Sequence, residues 1–213
     1  MERCRVALMD FKSRDSYCVI RESRNSGDVL NGNSTTYYYR SGKDWLYHTI
    51  IGNGDEDWET YMLEKDGGRY RQEVTTFRDP ADGNSTDSGW IAEPEMAAYD
   101  PWLVSFYWDG ADMELTALSD DGNRVTFTIQ GSPYPTDHGR IVEVAEYEAT
   151  FCLAPGTGTL QCVTLDYHAS WTVYIDERES TGTGSVSEVY SVQDMTAEQS
   201  AAVIEAQTVQ DLV

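Results

Sequence analysis

Lysine is scarce in this chain, and positive charge is scarce with it. Of 213 residues, 37 are Asp or Glu and 15 are Lys or Arg, which gives a formal net charge of −22. The only lysines are Lys12, Lys43 and Lys65, so arginine carries most of the positive charge. A field of this sign repels phosphate backbones and anionic lipid headgroups, which argues against a nucleic-acid partner and a polybasic membrane surface. A halophilic surface and a GC-rich genome both produce this bias, and the genome is the simpler explanation.

Long apolar runs are missing as well. No segment approaches the ~20 apolar residues that cross a bilayer, and residues 1–11 contain no apolar stretch typical of a secretory leader. We therefore expect either a cytosolic protein or an exported one whose leader has been removed. With 40% hydrophobic residues the chain can still bury a core, and its length favours a single domain over residues 1–213.

Sequence motifs for metal, phosphate or nucleophile chemistry are also lacking. His48, His138 and His168 are isolated, with no zinc-ligand spacing around them. No Gly-x-Ser-x-Gly nucleophile elbow occurs, and the Gly-Thr-Gly segments 156–158 and 182–184 lie between predicted strands rather than before a helix. The sequence therefore predicts no cofactor, no metal and no enzymatic activity. The many Asp and Glu residues leave a carboxylate-based hydrolase open as an alternative.

What the sequence does contain is a series of short runs in which apolar and polar residues alternate. In the run 124–130, for example, Val125, Phe127 and Ile129 point to one side and Thr126 and Thr128 to the other. Such alternation is typical of antiparallel strands with one packed face. Gly- and Asp-containing turns at 41–42, 66–68 and 119–123 predict hairpins. The polar segment 25–33 and the Ser/Thr/Gly segment between strands at 171–177 and 186–192 are predicted to be loops.

Three segments interrupt the strands with helical spacing. Residues 6–11 predict the end of a short helix, residues 93–108 a helical insertion, and the capping box at Thr196–Gln199 a terminal helix over about 197–207. Helix, about five strands, insertion, about six strands and helix predict an α+β fold. We expect one curved antiparallel sheet, a half-barrel, with helices on its concave face, because a sheet of about ten strands must curl.

The four cysteines are placed where they can pair. If the hairpin is symmetric about Thr157, Cys152 lies opposite Cys162, within disulfide reach at a non-hydrogen-bonded pair. Cys4 and Cys18, on the first helix and first strand, are a second predicted pair. Two disulfides favour an oxidising compartment. Four buried free thiols are the alternative.

Aromatic residues are the remaining candidates for function, with six Trp and fourteen Tyr. Their ordinary role is core and cross-strand packing. In a concavity they suit an apolar ligand, and on a flat sheet they suit stacking against sugar rings. The predicted ligand-binding residues are those of the insertion: Trp90, Trp102, Phe106 and Trp108. Polar loops at 79–89 and 110–112 predict that the insertion moves as a lid, with Trp102 and Phe106 facing the hollow.

The order of elements and several stretches of sequence resemble the LolA-like lipoprotein group. The stretches are 15–19 (DSYCV), 37–47 (YYYRSGKDWLY), 64–70 (EKDGGRY) and the late hairpin 150–163. The resemblance implies a half-barrel and an extracytoplasmic protein, lipid-anchored at the surface of a Gram-positive bacterium. It also implies a hollow that holds acyl chains or another apolar ligand. The chain departs from the group in lacking a lipobox cysteine, because no small-residue segment precedes Cys4, so a membrane is reached only through an anchor outside this sequence.

The sequence-based hypothesis is thus an exported, non-enzymatic lipoprotein-type domain that binds an apolar ligand or a protein partner in its hollow. The alternatives are a carbohydrate-binding module and a half-barrel packed solid by its own helices, serving as an interaction platform without a ligand.

Overall fold

The computed structural model describes residues 2–27, 32–53, 56–79, 81, 83, 85–96, 115–130, 134–135, 141–175 and 178–208. Within these residues there are two helices, α1 (Glu2–Lys12) and α2 (Ala197–Thr208), and neither is long and apolar enough to cross a membrane. The strands are β1 (Ser16–Gly27), β2 (Gly32–Ser41), β3 (Asp44–Asn53), β4 (Glu56–Lys65), β5 (Gly68–Phe77), β6 (Thr86–Asp87), β7 (Ile91–Ala92), β8 (Leu115–Asp120), β9 (Arg124–Gln130), β10 (Tyr134–Pro135), β11 (Ile141–Leu153), β12 (Leu160–Ile175) and β13 (Arg178–Asp194).

The chain divides into two compact units. Unit 1 comprises Met1–Phe11, Ser23–Gly32 and Trp102–Tyr190, and unit 2 comprises Lys12–Glu22, Asn33–Pro101 and Ser191–Val213. Hydrogen-bonded strands follow the order β13-β12-β11-β9-β8 in the first and β6-β5-β4-β3-β2-β1 in the second. Among the described residues neither path returns to its starting strand, so the sheet is open. The single-domain expectation stays a prediction.

The hairpins of unit 2 form near the predicted turns. β2 and β3 pair antiparallel up to Ser41 and Asp44, so their turn comprises residues 42–43, one residue later than the predicted 41–42, and Gly42 takes a φ of 62°. β4 and β5 pair up to Lys65 and Gly68, with positive φ at Asp66 and Gly67. Consecutive positive φ angles characterise the type I′ turns whose twist matches that of paired strands. In both hairpins, two strands that carry aromatic residues are thus joined by a turn that contains glycine.

The core of unit 2 is formed where α2 packs on the sheet. Leu46 of β3, Leu63 of β4 and Ile204 of α2 are at most 2% exposed and contact one another. The predicted capping box fixes the start of α2, because Thr196 N–H donates to Gln199 Oε1 (2.9 Å) and Gln199 N–H donates to Thr196 Oγ1 (3.2 Å). The terminal helix is confirmed, and it stabilises the sheet through its apolar side.

Unit 1 buries its own core between β9, β11 and β12. The rings of Phe127 and Phe151 stack at 5.3 Å, and Val163 lies opposite Phe151 in the register. The N-terminal helix is confirmed and is tied to the β8–β9 turn through Arg3, which donates to Gly122 O (2.8 Å) and pairs with Asp120. Four residues of α1 are buried: Cys4, Ala7, Leu8 and Phe11.

Two segments predicted as loops contain strands. β13 begins at Arg178 and runs through the whole Ser/Thr/Gly segment, so that loop prediction was wrong. In the other segment, 25–33, β1 continues to Gly27 and β2 begins at Gly32, and residues 28–31 lie outside the described residues. A Cβ atom on Gly27 would lie 2.4 Å from the carbonyl oxygen of Thr183, so the two backbones approach too closely for any larger residue. The glycine here serves close strand packing rather than a turn.

The predicted helical insertion at 93–108 is not helical where it is described. Ile91 and Ala92 form strand β7, and residues 93–96 form a turn. Trp102, Phe106 and Trp108 lie outside the described residues, as does the rest of the predicted lid. The antiparallel α+β character is confirmed, whereas curvature into a half-barrel stays a prediction.

Candidate ligand-binding face of unit 2

The register of unit 2 brings aromatic side chains into a row across three strands. Tyr37 of β2 lies opposite His48 of β3, and His48 lies opposite Tyr61 of β4. Directly opposed residues of antiparallel strands point to the same face. Leu46 and Leu63 are two residues away from His48 and Tyr61, so the row shares the face on which α2 packs. We call this the α2 face.

The rings of the row are stacked on one another. The His48 and Tyr61 ring centroids are 4.1 Å apart at an interplanar angle of 8°, and those of Tyr37 and His48 are 5.9 Å apart at 26°. Tyr39, the next α2-face residue of β2, stacks on Tyr37 at 6.5 Å. Such contacts contribute about 0.5–1.5 kcal/mol each beyond simple burial. The row is therefore a rigid element.

A carboxylate holds two members of the row in place. Glu59 Oε2 is 2.8 Å from His48 Nε2 and accepts a 2.7 Å hydrogen bond from the Tyr61 hydroxyl. Burial, and then this hydrogen bond, raise the pKa of Tyr61 above its ordinary value, so the hydroxyl stays protonated and donates. Both bonds use Oε2, and within the described residues Oε1 accepts none. The side chains of His48 and Glu59 are 17% and 25% exposed, so the network is only partly covered.

Trp90 is brought to the same face by the segment that precedes β7. Ser88 N–H donates to Glu73 O (3.0 Å), Gly89 turns the chain with a φ of 63°, and Glu93 N–H donates to Arg69 O (2.8 Å). The backbone on both sides of Trp90 is thus bound to β5. Trp90 is half-buried, and these backbone hydrogen bonds on either side of it fix its position.

The ring of Trp90 connects two parts of the α2 face. It packs against the Leu46, Leu63 and Ile204 core, and it meets the Tyr61 ring at 6.2 Å and 66°, an edge-on arrangement. The surface that results consists of half-buried aromatic rings, with the His48 ring and the Glu59 carboxylate among them. Aromatic rings with a few polar groups are a usual lining of small-molecule sites.

The opposite face of the same strands differs. There Tyr38 and Trp45 are buried and stacked, and the Trp45 indole N–H donates to Glu64 Oε2 (3.1 Å). Farther along, Ile51 and Trp58 lie opposite each other and are 40% and 43% exposed. β3 thus lies between β2 and β4 and carries apolar residues on both of its faces.

The predicted disulfides are not present, because each of the four cysteines is a free thiol. The predicted opposition of Cys152 and Cys162 is confirmed. Leu153 N–H, however, donates to Asn123 O of the β8–β9 turn, so by strand alternation the N–H of Cys152 faces β12. The two cysteines therefore form the hydrogen-bonded kind of pair, with wider-spaced Cα atoms, rather than the non-hydrogen-bonded kind that the prediction assumed.

The second predicted pair is buried and unreacted. Cys4 and Cys18 are at most 1% exposed. Burial raises the pKa of the Cys18 thiol to about 11, although a hydrogen bond with Tyr39 opposes the shift. Both residues behave as small apolar side chains that fill the cores of their own units.

Catalytic and metal chemistry gain little support. Ser185 Oγ lies 3.0 Å from His168 Nδ1, a pairing of the nucleophile–base type that the sequence did not reveal. Both side chains are exposed, and in the described part of the chain no carboxylate hydrogen-bonds this histidine, so the third member of a triad is lacking there. Within the same residues no group of three or more His, Cys, Asp or Glu is placed to hold a metal ion.

Of the four predicted ligand residues, the structure describes one, Trp90, and on the same face Tyr37, His48, Glu59 and Tyr61. Sequence reasoning assigned the aromatic rings to packing and did not single out Glu59. The predicted turn at 41–42 would place Tyr37 opposite Leu46, whereas the turn between Ser41 and Asp44 in the structure places it opposite His48. Comparison of the chain with protein-family models, curated proteins and solved structures finds no match. The functional argument accordingly depends on the residues of the α2 face alone.

Proposed function

We propose that this chain is a non-enzymatic binding domain that holds an apolar small molecule against the α2 face of unit 2. The observation that supports it is the half-exposed Trp90 ring, which joins an apolar core to the ordered Tyr61–Glu59–His48 network. If the half-barrel forms, this face lies on its concave side. The localisation proposed with it, extracytoplasmic and anchored at the surface of a Gram-positive bacterium, follows from the resemblance to LolA-like lipoproteins.

The chemistry of the face restricts the ligand. The net charge of −22 and the carboxylate of Glu59 disfavour an anionic headgroup. The Oε1 atom of Glu59 favours a ligand that presents a hydrogen-bond donor. We therefore propose a neutral or cationic apolar molecule rather than a fatty acid.

A sugar ligand fits this face less well. Carbohydrate platforms offer open ring faces, whereas the rings of Tyr37, His48 and Tyr61 are turned toward one another. The exposed Trp58 on the opposite face has Ile51 rather than another aromatic ring across from it. The remaining alternative is a packed platform without a ligand. The titration described next distinguishes that alternative from a ligand-binding face.

Titration with N-phenyl-1-naphthylamine, a neutral fluorescent probe with an N–H donor, tests the proposal. We expect saturable binding that Trp90→Ala weakens by about tenfold, a loss of ~1.4 kcal/mol. Trp58→Ala is the matched control, since it removes an exposed tryptophan from the opposite face, and it should leave the affinity unchanged. Equal affinity of both variants, or the lack of saturation in the parent protein, would contradict the proposal.

A further inference from the structure

The hairpin formed by β11 and β12 carries two thiols directly opposite each other. Cys152 pairs with Cys162 in the register, and the two side chains are in hydrogen-bond contact. The turn is closed by Ala154 N–H donating to Thr159 O (2.8 Å) and by Gly158 N–H donating to Ala154 O (2.9 Å). On its other side β11 pairs with β9, where Arg124 lies opposite Cys152. The strands on both sides thus keep the thiols together.

The two thiols are accessible in a way that the other cysteines are not. Their neighbours Phe151 and Val163 point to the opposite face and are fully buried, whereas Cys152 and Cys162 are half-buried. Cys4 and Cys18 are completely enclosed. A small reagent can therefore reach one pair of thiols only.

We propose that Cys152 and Cys162 form a redox-active dithiol, which a small-molecule disulfide oxidises to a reversible cross-strand disulfide. The two thiols already contact each other, so the bond can close without moving the hairpin. Because both side chains are half-buried rather than enclosed, a small reductant can reach the bond and reopen it. The pair would thus report the thiol–disulfide balance of the surroundings.

The reaction proceeds by two exchanges. The thiolate of one of the two cysteines attacks one sulfur of the small disulfide RSSR and releases RS⁻, which takes up a proton. The other cysteine then loses its proton, and its sulfur attacks the protein sulfur of the mixed disulfide and releases a second RS⁻, which also takes up a proton. One RSSR and two protein thiols give one protein disulfide and two RSH.

Incubation of the folded protein with oxidised glutathione, followed by alkylation and peptide mapping, tests the proposal. We expect the mass to fall by two hydrogen atoms, with the bond mapped to Cys152–Cys162, and reduced dithiothreitol should reopen the bond without denaturant. A bond that includes Cys4 or Cys18, or no bond, would overturn the proposal, as would a bond that only denaturant exposes to reductant.

Two single substitutions test the requirement for both thiols. Cys162→Ser and Cys152→Ser should each stop at a mixed disulfide with glutathione on the remaining thiol, because the second thiol is gone. An intramolecular disulfide formed at the parent rate in either variant would contradict the proposal, and peptide mapping of the parent protein decides the central claim even if a variant fails to fold.

Discussion

Replacing Leu63 by alanine is expected to lower the free energy of unfolding by about 3 kcal/mol. Leu63 is 0% exposed and lies between Leu46 and Ile204, where α2 packs on the sheet. The truncation removes apolar contacts and leaves a cavity that two strands and a helix cannot easily fill. Urea unfolding monitored by circular dichroism measures the change.

Ile51→Ala is the control for this prediction. It also truncates a large aliphatic residue in the same pair of strands, but Ile51 is 40% exposed and lies on the face opposite α2. Its cost should be about 1 kcal/mol or less. If Ile51→Ala costs as much as Leu63→Ala, α2 does not pack on the sheet as described.

The buried glutamate of unit 1 is the second position where a large effect is expected. Glu188 is 1% exposed and accepts hydrogen bonds from the hydroxyls of Tyr190 (2.6 Å) and Tyr167 (3.3 Å). Removing one partner of a buried polar network costs more than the net value of its bonds, because the remaining groups lose their compensation. Glu188→Ala should therefore lower the free energy of unfolding by about 3 kcal/mol.

Two variants distinguish this explanation from a general effect of charge. Glu188→Gln keeps an acceptor oxygen for the Tyr190 hydroxyl and should cost less than the alanine variant. Glu148→Ala removes one negative charge, as Glu188→Ala does, but it removes it from an exposed glutamate of β11. Its effect on the free energy of unfolding should therefore be close to zero. Equal stability of Glu188→Ala and Glu148→Ala would show that the network contributes nothing.

The parts of the fold that could be predicted are those whose information is local. The alternation of residues 124–130 and the turn at 119–123 define β8, β9 and their hairpin. Symmetry about Thr157 predicts the opposition of Phe151 and Val163, which the register confirms, and the pairing then shifts by one residue between Cys152 and Leu153. The side chains of Thr196 and Gln199 define the start of α2. In each case the interactions that form the element are made by residues close together in the sequence.

The parts that could not be predicted depend on contacts between distant segments. Nothing near Gly27 indicates that its backbone will lie against Thr183, so both segments resembled loops. The pairing of Ile91 and Ala92 with β5 likewise depends on a partner distant in the sequence, and nothing near Trp90 indicates it.

The candidate site depends on such contacts as well. The predicted turn of the β2–β3 hairpin is one residue out of place, and a shift of one residue changes which residues of the two strands lie opposite each other. Tyr61 joins Tyr37 and His48 only through the pairing of β3 with β4 across a longer connection. Glu59 lies on the strand beside His48, and its role appears only when both strands are in place. Sequence reasoning accordingly assigned the aromatic residues to packing and did not single out Glu59.

Native mass spectrometry of the protein isolated from its own host tests the central claim, that the α2 face holds an apolar small molecule. We expect a non-covalent adduct of a neutral or cationic apolar compound on the parent protein and on Trp58→Ala, with most of it lost from Trp90→Ala. The bare protein mass in all three, or an adduct that survives Trp90→Ala unchanged, would contradict the account.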